Sequence, residues 1–399
     1  MSTCKLRSFV KKSLKGLAIL AMATFLLLGI NFPLGAAPAS TDIPSATAAR
    51  RSKSTTRRVA NTRRSKHRRS QRVRSQRAQS PWYLNSYGDP SADDNPVGDD
   101  PIVRQAALNA LGKLNGSIVV VDPNSGRILS IVNQRLALSS GFTPCSTFKP
   151  IVALAALREG IITPTTKLYV GDRTRINVTD ALAHSNNPFF HKLGEMLGFK
   201  RITEYAQEFG LGEKAGLDIP GESAGRYPAA PPKQGGVGFL AYCGTDVEVT
   251  PLQMAAFIST IANGGTLYAL QYPRTSDELA AFQPVVRRHL DNLADYIPQI
   301  HDGLAGSVLY GTGRSAYDPD LSIYGKTGTC SENGARLGWF VSYGGNSQSQ
   351  YVAVVLLRGG QMVFGPHAAE IAGRFYRGLM QKEHPTQASR VDSSPLASR

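Results

Sequence analysis

The eighteen residues GSIVVVDPNSGRILSIVN, 116–133, constrain the fold of this chain more than any other segment. Two runs rich in β-branched residues flank Pro123-Asn124-Ser125-Gly126, a turn too short for a crossover helix, so the two strands must be neighbours and antiparallel. Three more runs of this kind, in LSIYGKTGTC, RLGWFVSYG and YVAVVLLRG, come near the other end, the last two separated by the turn GGNSQSQ. Connections this short again permit only antiparallel pairing. Apolar residues at helical spacing appear in IVRQAALNALGKL before the hairpin and in HAAEIAGRFYRGLMQ after the last strand, where Ile371, Phe375 and Leu379 share a face. The expectation is an α+β fold: five antiparallel strands, helices from both chain ends covering the faces, and a long, mostly helical stretch between the two groups of strands.

The folded region does not fill the 399 residues. Residues 17–34 carry no charge and follow Lys5, Arg7, Lys11, Lys12 and Lys15, the layout of a signal peptide or signal anchor. As a helix this run would span about 27 Å, near the hydrocarbon thickness of a bilayer. APAS at 37–40 offers a small-residue cleavage site, interrupted by Pro38. Either way the rest of the chain is expected to be exported, with 1–16 as a short basic cytoplasmic segment and 17–38 as the signal.

From Arg50 to Arg77 there are 13 Lys or Arg and no acid, a block that repels itself and has too little apolar surface to order. Of 45 basic residues, 5 precede the apolar run and 13 lie in this block, leaving 27; of 29 acids only Asp42 precedes residue 81, leaving 28, so the net charge of +16 comes from the N-terminal residues and the arm. An exported arm rarely meets nucleic acid; anionic wall polymers or lipid headgroups are the partners its charge suits, with a solvated tether as the plainer reading. The positive-inside rule opposes export of so basic a block, although the residues next to the apolar run are weakly charged. PWYLNSYGDPSADDNPVGDD, 81–100, reads as the end of a linker covering 39–100. Folded chain is expected over 101–380, with a disordered tail at 381–399.

In FTPCSTFKP, 142–150, Ser146 stands three residues before Lys149, and Pro150 marks a helix start because only there is its missing N–H not required. This puts the serine at the positive end of a helix with the lysine over the same face. A serine hydroxyl needs a base, and a lysine serves if burial beside a second cation lowers its pKa from about 10.4. Ser-x-x-Lys alone is weak, arising by chance about once in such a chain. HSNNPFF adds Ser185 and Asn187 as Ser-x-Asn, and GKTGTC adds Lys326, Thr327, Gly328 and Thr329 on a strand, a rarer string. GESAG, 221–225, matches a Gly-x-Ser-x-Gly elbow but lacks the strand before and the helix after, and GTGRS, 311–315, is read as a turn. The histidines are scattered without ligand spacing, so neither metal nor cofactor is expected, and His184 is read as a bystander.

Together these three motifs make the sequence resemble the penicillin-binding protein transpeptidases, the serine acyl-transferases that cross-link peptidoglycan. FGLGEKAGLDIPGESAG and VTPLQMAAFISTIANGG add to the likeness, which covers roughly 101–380. The resemblance implies a β-lactamase/transpeptidase-like fold with a helical subdomain. It implies that Ser146 is the nucleophile, Lys149 its base, Ser185 a proton relay and Asn187 the group that orients Lys149 and bonds the substrate amide. Lys326, Thr327 and Thr329 would receive the substrate carboxylate, Gly328 would allow close approach, and the Ser146 and Thr329 N–H groups would form the oxyanion hole. Stem peptides and β-lactams are the implied ligands, with a cell-wall polymerase as a further partner. D,D-carboxypeptidase and class D-like β-lactamase activities share the acylation step, though the latter carries an apolar residue at the place of Asn187. A non-turnover β-lactam sensor is the alternative of another class. The chain departs from the family in Cys145, where a glycine is usual, and in Cys243 and Cys330. Since the nucleophile helix and the Lys-Thr-Gly strand face each other in this fold, Cys145 with Cys330 or with Cys243 are the implied disulfide pairs.

Overall fold

Every residue of the strand Gly116–Val121 is buried, and its side chains divide by parity. Val119 and Val121 join one apolar cluster, Ile118 and Val120 another. The computed structural model describes residues 89–383 except 140, 172 and 347–349, so the apolar run at 17–34, the basic block and residues 384–399 lie outside the described residues. The same split recurs in Gln350–Gly359, where Val352, Val354 and Leu356 face the first cluster and Ala353, Val355 and Leu357 the second. With both faces covered, these strands read as continuous apolar runs, each large side chain contributing about 1.5–3 kcal/mol by burial.

Across the sheet the order is Ile128–Val132, Gly116–Val121, Gln350–Gly359, Ala335–Gly345, Ser322–Glu332, antiparallel throughout. The five strands are those the sequence predicts. Pairing of the opening hairpin with the last strand, Ile118 opposite Val355, joins the two ends of the folded region. Ser322–Glu332 is left at one edge.

Helices Pro101–Leu111 and Gly365–Glu383 cover one face, with Ile371, Phe375 and Leu379 fully buried. Against the other face lies Pro251–Ala262, started by a capping box between Thr250 and Gln253. The helix Lys149–Arg158 is buried from Lys149 through Leu157 and forms the centre of the helical side. Around it stand Val178–Ala183, Asn187–Glu208, Gly236–Cys243 and Pro298–Leu309. Two small ribbons, Leu168–Gly171 with Thr174–Ile176 and Thr266–Ala269 with Val285–His289, are additions that the mostly helical reading of the middle did not anticipate. Among the described residues no helix is long and apolar enough to cross a membrane.

Ordered contacts begin before Pro101, which corrects the expected linker boundary at 100. The Asp94 carboxylate accepts from the backbone N–H groups of Asn133 and Gln134 at 3.0 and 2.7 Å and pairs with Arg104 at 3.2 Å. Asp99 pairs with Arg104 at 2.6 Å and accepts from Ser130 Oγ at 2.9 Å. The acids that make 81–100 look like solvated linker here satisfy backbone donors at the end of the opening hairpin.

Candidate active site

The chain runs from Phe142 into a short 3₁₀ turn, Cys145–Phe148, and then into the α-helix Lys149–Arg158 with Pro150 in its first turn. Ser146 therefore lies one tight turn ahead of the α-helix rather than inside it, and it is half-exposed while Lys149 is wholly buried. The Lys149 ammonium nitrogen donates to Ser185 O at 2.6 Å, Ser185 Oγ at 3.0 Å and Asn187 Oδ1 at 2.6 Å. Phe190, one turn along the same helix as Asn187, places its ring 5.4 Å from that nitrogen. Burial holds the Lys149 pKa well below the usual lysine range, and the neighbouring charge of Lys326 pushes it the same way. The Ser146 hydroxyl points to the carbonyl of Tyr242 at 3.5 Å, the outer limit of a hydrogen bond, so a side-chain rotation must precede any transfer to Lys149.

Ser185 and Asn187 owe their places to a helix start. Asn186 caps the helix Asn187–Glu208, its side chain accepting from Phe189 N at 2.9 Å, and Pro188 sits in the first turn. Ser185 just before the cap is in the left-handed region, φ 55°, a strained conformation for a residue with a Cβ and one that concentrates at functional sites.

On the opposite wall runs the edge strand Ser322–Glu332. Lys326 is fully buried, donates to Thr327 O at 3.1 Å, and its pKa is pushed down to about 7 by burial. The nitrogen thus lies inside the protein. At Gly328 a Cβ would lie 3.0 Å from Pro144 O and 3.0 Å from Thr147 Cγ2, so its bareness lets the strand close on the turn that carries Ser146. Thr329 Oγ1 accepts from Gly365 N at 2.7 Å, and Thr327 Oγ1 shares a hydrogen bond of 2.6 Å with Thr312 Oγ1.

Sequence reasoning missed Thr312. Its segment, GTGRS, was assigned only to a turn, and Thr312 N also donates to Ala183 O at 3.1 Å, linking the Ser-x-Asn region to the Lys-Thr-Gly strand. Glu332 was missed too: its carboxylate accepts from Thr143 N and Thr143 Oγ1 at 3.0 and 2.7 Å. Cys145 and Cys330 are joined as a disulfide with their Cα atoms 5.7 Å apart, and Cys243 is free. Burial raises the Cys243 pKa while the positive charge of Lys149 pulls it down. His184 is exposed and tilts against Tyr310 at 5.6 Å between ring centroids. The competing GESAG loop is structural, since the Glu222 carboxylate accepts from Ala215 N at 2.6 Å and Gly216 N at 3.0 Å and no helix follows Ser223 directly.

Ser146 and the buried Lys149 at one helix start, Ser185 and Asn187 at a second, and a Lys-Thr-Gly edge strand on a five-stranded antiparallel sheet make up the site. The chain belongs to the penicillin-binding protein transpeptidase domain family, whose model matches residues 116–381. It is 31% identical over 230 residues to stage V sporulation protein D of Bacillus subtilis, a match covering 51% of this chain and 35% of that protein. Penicillin-binding protein PbpB of Mycobacterium tuberculosis is 26% identical over 344 residues, 70% of this chain and 50% of the relative. The chain thus spans a third to a half of the length of these relatives. Among solved structures, the transpeptidase domain of Burkholderia pseudomallei penicillin-binding protein 3 superposes with a TM-score of 0.61 at 20% identity, over 75% of this chain and 98% of that one, a likeness of fold.

Proposed function

We propose that this chain is a peptidoglycan D,D-transpeptidase that works through an acyl-enzyme on Ser146, and that penicillins acylate the same serine. The observation that carries the reading is the state of Lys149: a buried amine with three oxygen acceptors, a second lysine as its charged neighbour, and no carboxylate among the groups that shift its pKa. Burial and the Lys326 charge favour the neutral amine against these acceptors, which favour the charged form, and the neutral amine has the lone pair that takes a proton from Ser146 Oγ. The alkoxide oxygen then bonds to the carbonyl carbon between the two terminal D-alanines. The Ser146 and Thr329 N–H groups receive the oxyanion, and collapse breaks the C–N bond. Ser185, 3.0 Å from Lys149, returns the proton to the departing D-alanine amine. An acceptor amine of a second stem peptide resolves the ester.

Asn187, anchored by its Oδ1 on Lys149, keeps its NH₂ for the substrate amide. Thr327 and Thr329 offer hydroxyls to the terminal carboxylate, with the buried charge of Lys326 acting through the protein. Residues 17–38 tether the exported domain 101–380 to the membrane, and the basic arm contacts anionic wall polymer or lipid headgroups. A cell-wall polymerase is the partner this role calls for. Labelling of the full chain with a fluorescent penicillin tests the reading: wild type is expected to label and Ser146→Ala to lose labelling, whereas equal labelling refutes the nucleophile. Decay of the adduct by intact mass separates the activities, with persistence over many minutes expected of a transpeptidase and rapid loss of a β-lactamase.

A further inference from the structure

Cys145 precedes the nucleophile, and Cys330 follows the last residue of Lys-Thr-Gly-Thr. Each oxyanion donor therefore lies one residue, about 3.8 Å along the chain, from one half of a disulfide that joins the two walls. Cys145 also has φ 53°, the left-handed region, where a glycine is free and a residue with a Cβ is strained. Hydrogen bonds brace the residues on either side of it, Thr147 N and its hydroxyl both donating to Pro144 O at 3.2 and 2.5 Å. Upstream, Thr143 bonds Glu332 and accepts from the Trp339 indole at 3.0 Å; downstream, Thr147 packs on Gly328. Cys145 itself, fully buried between these anchors, is joined to the strand by the covalent bond.

We propose that the Cys145–Cys330 disulfide is a positioning device for the oxyanion hole: it holds the Ser146 and Thr329 N–H groups at the separation the tetrahedral intermediate requires. This inference rests on the acyl-transfer reading above. Opening the bond lets Cys145 relax toward negative φ and rotates the Ser146 peptide, while the hydrogen bonds of Lys149 to Ser185 and Asn187 remain untouched. Loss of one oxyanion donor costs about 10²–10³ in rate, so loosening rather than removing one is expected to cost about 10- to 100-fold. The loss should fall on the acylation step, not on initial binding of the β-lactam. Nor should the pH dependence move, since the lysines are not altered.

The test uses the full chain in detergent with a fluorescent penicillin, before and after dithiothreitol. In the exchange the two reagent thiols give up two electrons and two protons to become a cyclic disulfide, and the protein gains two thiols. Of the 4 cysteines, two are expected to react with a thiol reagent in denaturant before reduction and four after. The acylation rate constant at saturating penicillin should fall about 10- to 100-fold at a temperature well below both melting points, with the half-saturating concentration changed less than threefold. Cys145→Gly combined with Cys330→Ser should acylate faster than Cys145→Ser combined with Cys330→Ser, because glycine accepts the positive φ without the bond. Four reactive thiols before reduction, or acylation rates within twofold in the two states, overturn the inference. A larger effect on half-saturation than on rate overturns it as well. Failure of the untreated wild type to label at all refutes the acyl-transfer reading instead.

Discussion

Replacing Gly328 with alanine should slow acylation and destabilise the fold by comparable amounts. The added methyl would stand 3.0 Å from Pro144 O, 3.0 Å from Thr147 Cγ2 and 3.2 Å from Trp339 Cβ, where ordinary contact begins near 3.4 Å. None of these neighbours yields easily. Pro144 O accepts from Thr147 N at 3.2 Å and from its hydroxyl at 2.5 Å, and Trp339 is fully buried with its indole on Thr143 O. Gly328 does not have a positive φ, so alanine meets no backbone penalty and the effect is purely one of space. The strand must then back away from the nucleophile turn by roughly half an ångström. Overpacking of this kind costs about 1–3 kcal/mol, a fall in Tm of roughly 2–12 °C for a domain of this size. A displacement of about 1 Å costs on the order of 10²-fold in rate, so half of that predicts about tenfold slower acylation at saturating penicillin. Thr147→Ser in the same background removes one of the contacts and should recover part of the loss. The reasoning fails if Gly328→Ala leaves Tm within 1 °C and acylation within twofold of wild type.

Two further outcomes follow from the lysine pair. In the proposed mechanism Lys149 acts as the neutral amine, so acylation should slow as pH falls through the range, well below that of an ordinary lysine, to which burial and the charge of Lys326 lower its pKa. Lys326→Met removes the neighbouring charge, which lets Lys149 hold its proton to higher pH; the acidic limb of the profile should move upward, and a limb that stayed or moved down would contradict the assignment. Asn187→Leu deletes one of the three acceptors of Lys149 and leaves the buried amine short of a partner, a loss of about 1–3 kcal/mol. Acylation should slow by roughly 5- to 100-fold and Tm should fall by roughly 2–12 °C; stopped-flow labelling would detect a change of twofold.

Much of this protein is written locally. The Pro-Asn-Ser-Gly turn, the parity of Val119 against Val120, and Ile371, Phe375 and Leu379 at helical spacing specify the strands and the covering helix through short-range geometry. Pro150 and Pro188 mark two helix starts, and those starts carry Ser146, Lys149 and Asn187. The acidic segment before Pro101 misled because composition reports solvation preference but not the backbone donors that Asp94 finds, or the side-chain donors that Asp99 finds, in the fold.

Which residue types stand at the ends of which elements can be read from the chain, because turns, caps and side-chain periodicity depend on neighbours a few positions apart. That Lys326 lies buried beside Lys149, that Gly328 admits the turn carrying Ser146, that Thr312 meets Thr327, and that Cys145 pairs with Cys330 and leaves Cys243 free emerges from the folded arrangement alone. Each of these depends on how an edge strand and a buried helix meet across a large sequence separation. That meeting is set by packing of the whole sheet against the helical side, and no local pattern encodes it.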